Sequence, residues 1–220
     1  AAIRASVRAA LDIGYEVYGI NRGYAGLLDK DFQPMNSNMV AEILGSGGTI
    51  LRTSRSEFFP TSAGLKRATE ILEEYHIDTL IVIGGDGSLT GALMLSRLGV
   101  KVVGMPGTID NDFGASDYTI GFDTAVSTAI DAISKIRDTT FSHNRINIVQ
   151  VMGRSCGDIA LYAGFSSAAE ALIIPEKENN LEEICNELLH GRDRGHLHSI
   201  VMLAEGCGSY RDYLKRFEEL

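Results

Sequence analysis

TLIVIGGDGSLTGALMLSRLGVKVVGMPGTIDND, residues 79–112, is the stretch that decides the fold. Residues 79–84 and 101–105 are apolar runs of strand length, and 88–98 between them has the spacing of a helix. A Gly-rich turn joins the first run to that helix. Strand, helix and strand in this order predict parallel pairing, because the helix carries the chain back to the starting edge of the sheet.

The same alternation extends outward. Apolar runs at 15–20, 146–152, 171–174 and 199–204 read as buried strands, and helical patterns lie near 1–13, 63–75, 122–138, 156–168 and 181–190. The expected class is α/β, with a mainly parallel sheet covered on both faces. A boundary is expected near residue 121, where the Gly- and Asp-rich stretch 104–123 gives way to a long helix. Two lobes of about a hundred residues follow, 1–121 and 122–220. The chain opens inside a helical pattern, AAIRASVRAALDIG, and stops inside another, RDYLKRFEEL, so both ends read as cut.

Composition narrows the function. With 45% hydrophobic and 22% charged residues the chain can bury a core. A formal charge of −9 argues against general affinity for nucleic acid or anionic membrane, so an anionic ligand needs a local group of arginines. Cys156, Cys185 and Cys207 are odd in number and far apart, which suggests neither a disulfide framework nor a zinc site and fits a reducing cytoplasm. No apolar stretch reaches the length of about 18 residues that a membrane helix needs, and no signal peptide is visible. The five histidines lack metal spacing and receive no role.

Three motifs carry chemistry. In Gly84-Gly85-Asp86-Gly87-Ser88 the absence of side chains at Gly85 and Gly87 allows a polyphosphate to approach backbone N–H groups at a helix N-terminus, and Asp86 can ligate the Mg²⁺ that accompanies it. The alternative is an ordinary capped β-to-α turn. Pro106-Gly107-Thr108-Ile109-Asp110-Asn111-Asp112 puts two carboxylates around an amide at a strand end. One can take the proton of an attacking hydroxyl and the other can serve a metal's water shell; a turn of Asx caps is the competing reading. Met152-Gly153-Arg154-Ser155-Cys156-Gly157-Asp158 offers Arg154 to charge developing on a phosphoryl group, with Arg145 upstream, against the alternative of surface ion pairs. Met152 is expected partly in the core and Cys156 as a small buried side chain. Glu205, after the last strand, reads as a cap or as an acceptor for sugar hydroxyls.

GGDGS, PGTIDND, MGRSCGD and LAEG in this order resemble the ATP-dependent 6-phosphofructokinase family through all of the chain. The resemblance implies two Rossmann-like αβα lobes, a homotetramer, and a glycolytic kinase that moves the γ-phosphoryl of MgATP to the 1-hydroxyl of fructose 6-phosphate. It implies that residues 1–121 hold ATP and Mg²⁺ and that 122–220 hold most of the sugar phosphate, which also lies between lobes and against a neighbouring subunit. By the same resemblance Asp110 is the base and Thr108 positions substrate beside it. Asp86 serves Mg²⁺ with Asp112 in support. Gly85, Gly87 and Ser88 cradle the nucleotide phosphates, and Tyr24 and Arg55 line the ATP site. Arg154 stabilises the transition state; Ile109, Met152, Gly153 and Glu205 contact the sugar phosphate, and Arg145 reaches its 6-phosphate across a subunit interface.

Pyrophosphate-using relatives carry Asp at the position of Gly87 and Lys at that of Gly107, so Gly at both favours ATP. The family's Gly-rich first turn and a later Arg- and His-bearing segment have no counterpart here, which implies a stretch inactive by itself. Arg4, Arg8, Arg137 and Glu170 match an effector site for ADP or phosphoenolpyruvate, whereas Ser37 and His196 stand where Arg and Lys are usual. The competing reading of Arg4 and Arg8 is a solvated basic stripe. Two alternatives remain at this stage, a noncatalytic sensor or regulatory subunit of the same fold and a pyrophosphate-dependent enzyme.

Overall fold

The computed structural model describes residues 1–220, and most of its regular elements follow the predicted alternation. They run α1 (Ala2–Asp12), β1 (Tyr18–Ile20), α2 (Gly23–Leu28), β2 (Phe32–Pro34), α3 (Ser62–Glu74), β3 (Thr79–Gly84), α4 (Asp86–Arg97) and β4 (Lys101–Pro106). There follow α5 (Phe122–His143), β5 (Ile146–Val151), α6 (Asp158–Ser166), β6 (Ala171–Ile173), α7 (Leu181–Asp193), β7 (Ser199–Ala204), a 3₁₀ turn over Glu205–Cys207 and α8 (Tyr210–Glu219). The protein is mixed α/β with parallel sheets. No helix is long and apolar enough to cross a membrane.

Contacts divide the chain into two compact units, Ala1–Gly107 and Thr108–Leu220. The boundary read from sequence near residue 121 falls inside the second unit. There the Gly121 N–H donates to the Thr108 carbonyl at 3.1 Å, which ties the acidic turn to the start of α5.

In the first unit β3 and β4 pair in parallel from Thr79 opposite Lys101 to Gly84 opposite Pro106. Leu80 and Val82 of β3 point into a core with Ile71 and Leu72 of α3 and Leu95 of α4. α3 starts where Thr61 Oγ1 accepts the Gly64 N–H at 3.0 Å, satisfying a donor that the first turn leaves unpaired. One sequence expectation fails here. Of residues 15–20 only Tyr18–Ile20 forms a strand, and it runs antiparallel to β2. The six-residue α2 is too short to carry the chain back along a sheet, so the strand after it returns in the opposite sense.

In the second unit the sheet order is β5-β7-β6, all parallel. β7 is central and buried at every residue, and so its sequence, SIVMLA, has no polar alternation. Val201 and Leu203 pack with Leu181 and Leu188 of α7 and Tyr213 of α8, while Ile200 and Met202 pack with Ile133 of α5 and Ala163 of α6. Helices therefore cover both faces of this strand. Burying each such aliphatic side chain contributes about 1.5–3 kcal/mol, and β7 places four of them. Its C-terminal end is thereby fixed, and there the chain turns through Glu205.

Candidate active site

The Gly-rich turn of the first unit sits between the C-terminal end of β3 and the start of α4, with Gly85 as the residue before the helix and Asp86 as its first. Its glycines have different reasons. A Cβ on Gly84 would lie 2.7 Å from the Ser88 side chain, so the fold excludes one; a Cβ on Gly87 would meet nothing within 4 Å, and its backbone is not left-handed. Packing does not require glycine at 87, although alanine is the better helix former. The open space matters for what approaches from outside. Asp86 is exposed and its carboxylate has no protein partner.

Tyr24 supports this turn from behind. Its hydroxyl donates to the Ser88 carbonyl at 2.6 Å and its ring stacks on Phe59 at 3.7 Å, so close to α4 that a Cβ on Gly91 would lie 2.6 Å from it. Burial pushes its phenol well above the ordinary tyrosine range, so it stays a neutral donor. Arg55 is exposed in an irregular segment and makes no ion pair. Gly107 closes β4: its N–H donates to the Gly84 carbonyl at 2.9 Å, and a Cβ there would press on Ile83 at 2.8 Å.

The acidic turn opens the second unit. Asp110 is 9% exposed, the most buried carboxylate of the chain. Burial raises its pKa above the ordinary aspartate value; the Thr108 side chain opposes this, the Asp112 charge adds to it, Arg154 opposes and Glu205 adds. The Asp110 N–H donates to Thr108 Oγ1 at 3.1 Å, fixing the two residues together. Asp112 Oδ2 takes a bond from Arg154 Nη1 at 3.3 Å. Ile109 lies half-buried between these side chains in sequence.

The Arg154 turn is built to one conformation. Gly153 has φ 145° and its Cβ would lie 2.4 Å from the Cys156 carbonyl, so only glycine fits; Arg154 itself has φ 54°. Glu205 Oε1 accepts the N–H groups of both Gly153, at 3.0 Å, and Arg154, at 2.7 Å. Glu176 Oε1 accepts that of Gly157 at 2.6 Å. The Arg154 side chain is 57% exposed, so its guanidinium can meet a ligand from solvent. Met152 is a correction to the sequence reading: it is 60% exposed and not core, because it follows the last residue of β5 at the rim of the sheet. Cys156, expected as a small buried side chain, is only partly buried, and that burial pushes its thiol up.

The structure thus brings Thr108, Asp110, Asp112, Arg154, Gly153 and Glu205 into one polar cluster within the second unit, and Gly85, Asp86, Gly87, Ser88 and Tyr24 into another within the first. Arg145 is exposed at the start of β5, with its backbone carbonyl bound to the Ser199 N–H at 3.1 Å. Arg137 and Glu170 meet at 3.2 Å, and Arg137 also donates to the carbonyls of Ser167 and Ala168. Arg4 contacts the Ala41 carbonyl at 3.4 Å, and Arg8, Ser37 and His196 are exposed. Asn111, Asp158, Thr119 and Glu176 belong to the second cluster through hydrogen bonds, although sequence reasoning gave them no role. The one available signal was the place of Asn111 and Asp158 inside the two motifs.

The phosphofructokinase family pattern matches residues 1–219. The chain is 54% identical over 219 residues to the ATP-dependent 6-phosphofructokinase of Clostridium novyi (strain NT), a match covering 100% of this chain and 69% of that protein. It is 52% identical over 220 residues to the ATP-dependent 6-phosphofructokinase of Clostridium botulinum (strain Hall), with the same coverage. Among solved structures, phosphofructokinase from Saccharomyces cerevisiae superposes with a TM-score of 0.90 at 31% identity, covering 99% of this chain and 34% of that one. The order of the three turns, their geometry and these likenesses agree: the chain belongs to the phosphofructokinase family and, by homology, to its ATP-dependent 6-phosphofructokinases.

Proposed function

We propose that the protein transfers the γ-phosphoryl group of MgATP to the 1-hydroxyl of fructose 6-phosphate, with Asp110 as the base. The observation that carries this reading is the placement of Asp110, a buried carboxylate of raised pKa in the same cluster as Arg154. The carboxylate accepts the proton of the 1-hydroxyl as its oxygen forms a bond to the γ-phosphorus and the bond to ADP breaks. Arg154, held by Glu205 through its backbone, meets the charge that spreads over the phosphoryl oxygens. Thr108 keeps Asp110 in place, and the second oxygen of Glu205, free of protein partners, accepts a sugar hydroxyl. Ile109, Met152 and Gly153 line the sugar, and Arg145 reaches the 6-phosphate across a subunit interface.

In the first unit Gly85, Gly87 and Ser88 would cradle the nucleotide phosphates at the start of α4, with Tyr24 bracing the turn, and Tyr24 and Arg55 would line the ATP site. The uncommitted Asp86 carboxylate is the hard oxygen ligand that fits magnesium, which typically takes one or two carboxylates and completes its shell with water and phosphate. Asp86 would hold the ion; when bound it would neutralise phosphate charge. Each unit is read as the core of a three-layer αβα lobe, Ala1–Gly107 serving the nucleotide and Thr108–Leu220, which includes the acidic turn that the sequence alone places in the first lobe, serving the sugar phosphate. A homotetrameric cytoplasmic enzyme, with ADP or phosphoenolpyruvate acting at Arg4, Arg8, Arg137 and Glu170, completes the proposal.

The test is formation of fructose 1,6-bisphosphate with Mg²⁺ and either ATP or pyrophosphate, in a chain carried to the length of its relatives. Turnover with ATP alone supports the reading. Ligand binding without turnover from either donor replaces it with the noncatalytic sensor.

A further inference from the structure

Asn111 is held by both ends of its side-chain amide. Nδ2 donates to Asp158 Oδ2 at 2.7 Å, and Oδ1 accepts the N–H of Thr119 at 2.9 Å. Its backbone lies at φ 57°, a conformation that costs energy for a residue with a Cβ and persists where surroundings enforce it. Asn111 stands directly between Asp110 and Asp112. Asp158 opens α6 at the far end of the Arg154 turn, where the helix N-terminus favours its charge, and it has no cationic partner.

The bond between them spans 47 residues and joins the turn that bears Asp110 to the turn that bears Arg154. A second tie, Arg154 to Asp112 at 3.3 Å, joins the same turns, but it uses Arg154, to which the proposed reaction gives a role. The Asn111–Asp158 bond uses two side chains that the chemistry leaves alone. It is therefore free to keep the two turns in register whatever Arg154 engages.

We propose that Asn111 and Asp158 are a pair of positioning residues that sets Asp110 relative to the Arg154 turn, with Thr119 as the third fixed point. This rests on the reading of Asp110 as the base. Displacing a catalytic group by an ångström lowers kcat without weakening substrate binding in proportion. A clamp that only stabilised the fold would instead lower the melting temperature and leave kcat of the folded enzyme unchanged.

The experiment compares Asp158→Ala, Asp158→Asn and Asn111→Gly in the full-length enzyme by steady-state kinetics and thermal melting. Asn111→Gly retains access to the left-handed backbone and removes both side-chain bonds, while Asp158→Asn keeps an oxygen that accepts from Nδ2. Asp158→Ala and Asn111→Gly are each expected to lower kcat by about 100-fold and to change KM for fructose 6-phosphate less than about threefold. Asp158→Asn is expected to recover most of that loss. The double variant Asn111→Gly with Asp158→Ala is expected to be no worse than the poorer single one, because both remove the same bond.

An unchanged kcat in either disrupting variant, a rise in KM alone, failure of Asp158→Asn to recover activity, or multiplicative losses would each overturn the inference. Should Asp158→Ala not fold, Asn111→Gly and Asp158→Asn decide it. Asp110→Ser tells failure of the base reading apart: near-normal kcat there refutes the base, while the kcat and KM pattern of the Asp158 variants still judges the pair.

Discussion

One oxygen of Glu205 accepts the backbone N–H groups of Gly153 and Arg154 together, at 3.0 and 2.7 Å. Both residues lie at positive φ, and the carboxylate offsets the cost of that conformation with two charge-assisted bonds. Glu205 comes from the end of β7, the most buried strand of the second unit, so the Arg154 turn inherits the rigidity of the core.

Glu205→Ala is therefore expected to destabilise the protein by about 1–3 kcal/mol, since it leaves two N–H groups without their charged acceptor. Glu205→Gln keeps an accepting oxygen and should lose less. Denaturant unfolding of the two variants checks the order, and equal losses would mean that the bonds contribute nothing.

Gly87 has open space at its Cβ position and no left-handed backbone to preserve. Gly87→Ala, in the first turn of α4, should stabilise the protein by less than about 0.5 kcal/mol while raising KM for MgATP. A melting curve and an ATP titration on the same sample test this, and a rise in stability with unaltered KM would remove Gly87 from the phosphate site.

Asp110 gives a pH dependence of definite sign. Burial raises its folded-state pKa, so the unfolded chain releases this proton at lower pH than the fold does. The protonated form suits the fold below the ordinary aspartate range, and stability is lost as pH rises through the raised value. Asp110→Asn, which removes the buried charge, is expected to melt higher than the parent at neutral pH and to lose that advantage in acid. A higher melting temperature for the parent at neutral pH would show that its partners outweigh burial.

The acid limb of kcat/KM should lie above the ordinary aspartate range for the same reason. Asp112→Asn takes away a like charge and should move that limb down, whereas Arg154→Met should move it up. Residual activity measured across pH in both variants distinguishes the directions.

Much of this was legible in the sequence because it depends on local pattern. TLIVIG and SIVMLA are read to the residue as β3 and β7, since strands buried on both faces leave unbroken apolar runs. The Gly-rich and acidic turns were found because parallel strands place such loops at their C-terminal ends. What escaped has no local signature. α2 and β2 are too short for periodicity to show. Met152 looks like its strand neighbours and is exposed only because the sheet ends there. The bonds from Glu205, Glu176 and Asp158 join residues far apart in the chain, so only folding brings them into view.

The most direct measurement is kcat and fructose 6-phosphate affinity for Asp110→Ser beside the parent, in the full-length enzyme with MgATP. Loss of a positioned base predicts a fall in kcat of about 10²–10⁴-fold with sugar-phosphate binding largely kept. A near-normal kcat would contradict the assignment of Asp110 as the base.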